Sequence, residues 1–183
     1  MLKFLIIIHL RYEENFVETL KNRLRINVGF IVNSTVGYHR DFPFEFPSYI
    51  DEDLELVDVS GNINVGRTPQ GLIVSATFSG KSKFECGRCL IVFDKEIVWD
   101  FTELFSFKEE NMSDSGLLVP EDSQIDFKTL FREYAILEFP IRPICFEDCK
   151  GLCLECGQNL NLQDCGHVQV KTNAFSKLKD LLN

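Results

Sequence analysis

The sequence predicts an α+β fold: a mainly antiparallel β-sheet body, one or two helices, and a cysteine-rich C-terminal segment. Three observations predict it. Short apolar and aromatic runs separated by turn signals occupy residues 24–110. One later stretch, opening at Asp126, repeats its apolar residues at helical spacing. Five of the seven cysteines then crowd into the 21 residues from Cys145 to Cys165.

Taken in order, residues 1–23 form an N-terminal extension of uncertain role. Its opening Met1-Leu2-Lys3-Phe4-Leu5-Ile6-Ile7-Ile8 has the look of a signal peptide, or of a strand. The run is short and flows into Arg11-Tyr12-Glu13-Glu14 without a small-residue cleavage site, so a cytoplasmic location is expected. The β-rich body spans 24–110. Leu24 to Val32 is β-branched and apolar and reads as a strand. Phe42-Pro43-Phe44-Glu45-Phe46-Pro47 carries two prolines, which confine it to a sheet edge or an extended loop. Leu54 to Val65 and Leu72 to Phe78 flank the turn signal Arg67-Thr68-Pro69-Gln70-Gly71 and read as a hairpin. Gly87-Arg88-Cys89 makes a second tight turn, before a strand with Ile97, Trp99 and Phe101 on one face.

Residues 111–124, with Ser, Asp, Gly and Pro, form an acidic loop or linker. The last region, 125–183, begins with a helix capped by Asp126. Phe127, Leu130, Phe131, Tyr134 and Leu137 share its apolar face, and Pro140 stops it. After the cysteines, Phe175, Leu178, Leu181 and Leu182 suggest a short terminal helix starting at Thr172 or Asn173.

With 45% apolar residues and 17 Phe, the chain can fill a core. No apolar run is long enough to span a membrane, and no membrane partner is expected. The net charge of −9 argues against non-specific coating of nucleic acid. That charge is concentrated: residues 94–126 hold ten acids against two bases, a balance of −8. A local contact with RNA elsewhere on the surface remains compatible with this, as does a basic protein on the acidic face.

Clustered cysteines in a reducing compartment point to metal. Cys145, Cys149, Cys153 and Cys156, followed by Cys165-Gly166-His167, offer the soft ligands that structural zinc takes in a tetrahedron. Cys153-x-x-Cys156-Gly157 has the form of a zinc knuckle, with Gly157 relieving the tight backbone. Its partners are open: Cys145 with Cys149, Cys149 with Cys165, or the distant Cys86 with Cys89. His167 is a further candidate ligand. The spacing favours zinc over an iron–sulfur cluster, with one ion expected per chain, lost on changing Cys153 or Cys156. The Cys86-Gly-Arg-Cys89 pair has three readings: a plain turn, a second knuckle, or a redox dithiol. Redox pairs sit at helix N-termini, whereas strands flank this one.

Familiar catalytic strings (G-x-S-x-G, H-E-x-x-H, a Gly-rich phosphate loop) are missing. The three histidines are His9, His39 and His167. Arg67 and Arg88 are candidates to touch phosphate, or to serve as surface residues or partners of a carboxylate.

The strings Val65-Gly66-Arg67-Thr68-Pro69-Gln70-Gly71-Leu72-Ile73-Val74, Cys86-Gly-Arg-Cys89-Leu90, Leu137-Glu138-Phe139-Pro140-Ile141-Arg142-Pro143-Ile144-Cys145 and Cys149-Lys150-Gly151-Leu152-Cys153-Leu154-Glu155-Cys156-Gly157-Gln158-Asn159-Leu160-Asn161 occur in that order. From Leu24 onward the chain resembles the YceD family, described as large-subunit ribosomal RNA accumulation proteins. The family's motif cysteines fall on Cys86, Cys89, Cys145, Cys149, Cys153, Cys156 and Cys165. Leu154 stands where many members have Pro, and the chain departs from the usual ending at Cys165-Gly-His167 and Lys171-Thr172-Asn173. The resemblance implies a non-catalytic role in 23S rRNA accumulation or processing and large-subunit assembly, with structural Zn2+. Its implied partners are 23S rRNA or its precursor, touched through a local patch, or a ribosomal protein or rRNA-processing factor. The alternative reading is a thiol redox or metal-handling protein using the CxxC pairs. A third, a nuclease or RNA-modifying enzyme, would need an open zinc position near His167 and Asp164.

Overall fold

A computed structural model describes residues 24–51 and 54–167. The expectations for residues 1–23, for His9 and for a helix near Phe175 lie outside those residues. The elements are β1 (Arg25–Asn27), α1 (Gly29–Val32), β2 (His39–Asp51), β3 (Leu54–Arg67), β4 (Gly71–Glu85), β5 (Val92–Ser106), a 3-10 turn (Glu109–Asn111), β6 (Gln124–Asp126) and α2 (Lys128–Leu137). As expected, the fold is mainly antiparallel sheet with helices. Among the described residues, no helix is long and apolar enough to cross a membrane.

The chain divides into two compact units. Among the described residues, one is 24–51 and 54–83 with 94–140; the other is 84–93 with 141–167.

In the first unit the main sheet has the order β2-β3-β4-β5, and β1 pairs separately with β6. The β2–β3 and β3–β4 pairings are antiparallel. β2 lies at the edge, where Pro43 and Pro47 are tolerated because a strand there needs to donate to one side only. Opposite Pro47 the register skips Asp58, which takes φ +52°, and β3 shifts register against β4 between Val57 and Ser60. The β3–β4 turn closes through the Thr68 hydroxyl, which accepts from the Gly71 N–H at 3.1 Å.

The expected face of β5 is correct: Ile97, Trp99 and Phe101 are all buried. They meet the buried side of β4, where Phe78 stacks on Trp99 with ring centroids 5.6 Å apart. Phe131 of α2 fills the centre, 4.7 Å from Tyr49, 4.9 Å from Phe78 and 5.0 Å from Trp99. These tilted and edge-on contacts are the geometry aromatic quadrupoles favour.

Four local expectations change. The strand predicted from Leu24 to Val32 stops at Asn27 and gives way to α1. The Asn27 carboxamide accepts from the Gly29 N–H at 2.9 Å, so the chain turns and does not extend. The segment before α2 contains a short strand, β6, whose Ile125 pairs with Ile26. The face of α2 is narrower than the apolar repeat suggests: Phe127, Phe131 and Ala135 are buried, whereas Leu137 is 75% exposed. The N-cap of α2 is Phe127, without a side-chain cap, and not Asp126; one residue before the cap, Asp126 accepts from the Lys128 N–H at 2.9 Å in a local turn. The 111–124 loop is tied to the end of β5, where the Ser106 N–H donates to Leu117 and the Val119 N–H to Ser106.

Candidate metal centre

The second unit is built on two copies of one turn. In the first, the Cys86 N–H donates to the Ile91 carbonyl (2.9 Å) and the Leu90 N–H to the Cys86 carbonyl (2.9 Å). In the second, the Cys153 N–H donates to Gln158 (2.8 Å) and the Gly157 N–H to Cys153 (2.9 Å). The residue after the second cysteine is left-handed in both: Leu90 at φ +59° and Gly157 at φ +72°. Glycine adopts this freely, while leucine does so at a cost of about 1–2 kcal/mol. Such a turn aims both sulfurs of a C-x-x-C pair to one side.

Each turn gathers two more ligands. Cys86 and Cys89 meet Cys145 and Cys149; Cys153 and Cys156 meet Cys165 and His167. Within each tetrad the ligand atoms lie within 4.8 Å of one another, so each could hold a metal ion. The Cys86 and Cys149 sulfurs are 3.8 Å apart, and those of Cys89 and Cys145 are 3.6 Å apart. A tetrahedron with bonds of ~2.3 Å has edges of ~3.8 Å, so these spacings fit zinc. In the second tetrad, His167 Nδ1 lies 3.8 Å from the Cys153 sulfur and 3.4 Å from that of Cys165. These straddle the ~3.6 Å separation that mixed zinc–nitrogen and zinc–sulfur bonds give.

The eight sequence candidates are thus all brought together, but in a different division from any weighed on spacing. Cys153 and Cys156 are completed by Cys165 and His167, and not by Cys145 and Cys149 or by Cys86 and Cys89. A single shared ion gives way to two separate tetrads.

The electrostatics within the tetrads are those of sulfurs competing for charge. Burial opposes ionisation of Cys86, but the N–H groups of Cys145, Cys89 and Arg88 outweigh it and pull the thiol down to about 6. Cys149 is also lowered: burial opposes its ionisation, and the Asn161 amide and Gly151 N–H prevail. Burial and the neighbouring sulfurs push Cys145 up to about 12. Cys89 is raised as well, because burial and the Cys86 and Cys149 sulfurs outweigh the Ile91 N–H. In the second tetrad, the N–H groups of Cys156 and Glu155 bring Cys153 down to about 6. Cys165 is raised, the Cys153 sulfur and burial outweighing the His167 N–H. Full ionisation of either set calls for a cation between the sulfurs, which is what a divalent metal supplies.

The tetrads differ in shelter. Cys86, Cys89 and Cys149 are buried with Phe93, Ile144 and Leu152 packed around them. Cys156 and His167 are exposed.

Residues that the sequence reading gave no ligand-positioning role hold the ligands in place. Asn161 donates to the Cys149 sulfur at 3.2 Å, while its carbonyl oxygen accepts from the Lys150 N–H at 2.7 Å. Asn159 in turn accepts from the Asn161 side chain at 3.0 Å. These two amides sit in the Gln158-Asn159-Leu160-Asn161 string, and the sequence signal for them was only that string. Arg88, a phosphate candidate, instead donates to the backbone carbonyls of Cys149 (2.9 Å) and Glu147 (3.2 Å). Gly151, at φ +77°, lies against Arg88, where a Cβ would stand 3.0 Å from the carbonyl oxygen. The other phosphate candidate, Arg67, donates to the carbonyls of Val32 and Thr68 and covers the Phe107 ring. His39 is exposed on β2. Asp164 accepts from the Gly166 N–H at 2.9 Å, shaping the loop that presents Cys165 and His167.

The chain is similar in sequence to several known proteins. An uncharacterized protein of Mycobacterium tuberculosis is 29% identical over 128 residues, covering 66% of this chain and 60% of that protein. A second, from Mycobacterium leprae, is 28% identical over 149 residues, covering 74% of this chain and 67% of the relative. The chain therefore spans about three fifths to two thirds of the length of these relatives. The large ribosomal RNA subunit accumulation protein YCED homolog 1, chloroplastic, of Arabidopsis thaliana is 41% identical over 64 residues, or 34% of this chain and 20% of that protein. No solved structure matches. The family model for the large ribosomal RNA subunit accumulation protein YceD matches residues 74–182, a span that contains all seven cysteines and His167. By that match, over more than half its length, the chain belongs to the YceD family.

Proposed function

We propose that this protein is a non-catalytic factor in accumulation or processing of 23S rRNA and assembly of the large ribosomal subunit, acting in the cytoplasm, with two structural Zn2+ ions. The observation that carries the structural role is the ligand count. Each tetrad presents four protein donors, which fills a tetrahedral shell and leaves no position for the water that hydrolysis needs. The zinc assignment rests on the sulfur spacings and on the all-cysteine and Cys3His donor sets. The ribosomal role rests on family membership. Rather than standing as free dithiols, both CxxC pairs sit beside two further ligands, which favours this reading over thiol redox chemistry. The partner is 23S rRNA, its precursor, or a protein bound to it.

Two measurements test this. Depletion of the protein should lower 23S rRNA, or accumulate its precursor, relative to 16S; an unchanged ratio sinks the ribosomal role. Metal analysis of the purified chain should give two zinc ions, falling to one on Cys89→Ser or on Cys165→Ser. A protein that retains both ions in either variant refutes the tetrads.

A further inference from the structure

The first unit contains a groove of about 600 Å³ between one face of α2, β5 and the loop at 115–117. Its floor is apolar, with Phe105, Leu117 and Leu130 lining it. Three carboxylates, Glu103, Asp126 and Glu133, also line it, and no basic residue does. Leu137, at the helix end, lines the groove while 75% exposed, although its helical spacing marks it as a core residue. An apolar floor with a one-sign rim matches an amphipathic segment of opposite charge. Half of the ten residues lining the groove belong to the stretch 94–126, whose balance of −8 draws cations from a distance.

We infer that this groove is a docking site for a basic amphipathic peptide segment of a partner protein, with apolar side chains on Leu130 and Leu137 and Arg or Lys over Glu103, Asp126 and Glu133. Glu103 is fixed in this arrangement, because the Tyr134 hydroxyl donates to it at 2.8 Å. Glu133 and Leu137 are exposed, so the groove can be altered there without touching the core. The inference does not depend on the rRNA reading: an unchanged 23S level on depletion would remove that reading and leave this one in place.

The probe is a fluorescein-labelled Leu/Arg peptide of about 14 residues with Leu at i, i+3, i+4 and i+7, beside a control of scrambled order. Anisotropy titration of the full chain should show the patterned peptide binding about tenfold tighter than the scrambled one, and weakening between low salt and about 0.3 M salt. Glu133→Lys and Leu137→Ser should each reduce affinity about five- to tenfold, with circular dichroism unchanged. Equal binding of both peptides, or full affinity in both variants, overturns the proposal. So does a dimer in sedimentation that Leu137→Ser dissociates, which would assign the groove to a second copy of the chain.

Discussion

Gly151 and Gly157 take nearly the same left-handed backbone, at φ +77° and +72°, but in different surroundings. Alanine at either carries the left-handed penalty of about 1–2 kcal/mol, offset by about 0.4–1 kcal/mol from a stiffer unfolded chain. At Gly157 nothing lies within 4 Å of the added Cβ, so the net loss should be about 1 kcal/mol or less. At Gly151 the Cβ would sit 3.0 Å from the Arg88 carbonyl oxygen and 3.4 Å from the Arg88 Cβ. That carbonyl accepts from the Leu152 N–H at 3.1 Å, so moving it aside weakens a hydrogen bond worth about 1 kcal/mol. Gly151→Ala should therefore cost about 2–3 kcal/mol. Metal retention and folding of such a unit are one free energy, so zinc release along a urea series, read with a chromophoric chelator, reports both. With a slope near 2 kcal/mol per molar, the release midpoint should fall by about 0.5 M for Gly157→Ala and about 1–1.5 M for Gly151→Ala. Equal shifts, or a larger one at Gly157, would refute the argument from Arg88.

Zinc uptake should be coupled to protons. In the Cys86 tetrad, Cys89 and Cys145 are raised and Cys86 is held near 6, so binding at pH 7 should release at least two protons. Affinity then rises with pH, and falls more steeply below pH 6 as Cys86 also takes up a proton; calorimetry in buffers of different ionisation enthalpy checks the count, and proton-independent binding would contradict it. Asn161→Ala removes the amide that donates to the Cys149 sulfur and should weaken zinc binding about 10- to 100-fold in chelator competition, with no loss if that hydrogen bond is idle. Phe131→Ala empties the space among Tyr49, Phe78 and Trp99, and should cost about 3–5 kcal/mol in chemical denaturation of the sheet unit. A loss below 1 kcal/mol would mean the cluster repacks.

The long strands were legible because their apolar and aromatic residues alternate and Pro, Gly and Thr punctuate the turns. Ile97, Trp99 and Phe101 could be assigned to one face from period alone. Residues 24–32 misled because their composition is strand-like, whereas one carboxamide, that of Asn27, bends the chain at Gly29. Leu137 misled for a related reason: its spacing fits a helix face, but the buried stripe of α2 is only wide enough for Phe127, Phe131 and Ala135. For the metal centre, residue types and the knuckle form at Cys153 could be read directly. Partner choice could not, because spacing is one-dimensional. Cys149 lies four residues from Cys153 yet faces the other tetrad, carried there by Arg88, Gly151 and Asn161.

The sequence separation within each tetrad sets an order of events in time. Cys153 to His167 closes a short local loop, whereas joining Cys89 to Cys145 closes one of more than fifty residues. The entropy of closure grows slowly with loop length, but the encounter is slower and needs the later segment to exist. On a chain emerging from its own ribosome, the Cys86–Cys89 turn is made first and has nothing to hold until residue 149 has been synthesised. Its thiols spend that interval as half a site, open to a weakly held ion or to oxidation. The buried tetrad can therefore close only on a chain synthesised past the α2 helix and Cys149.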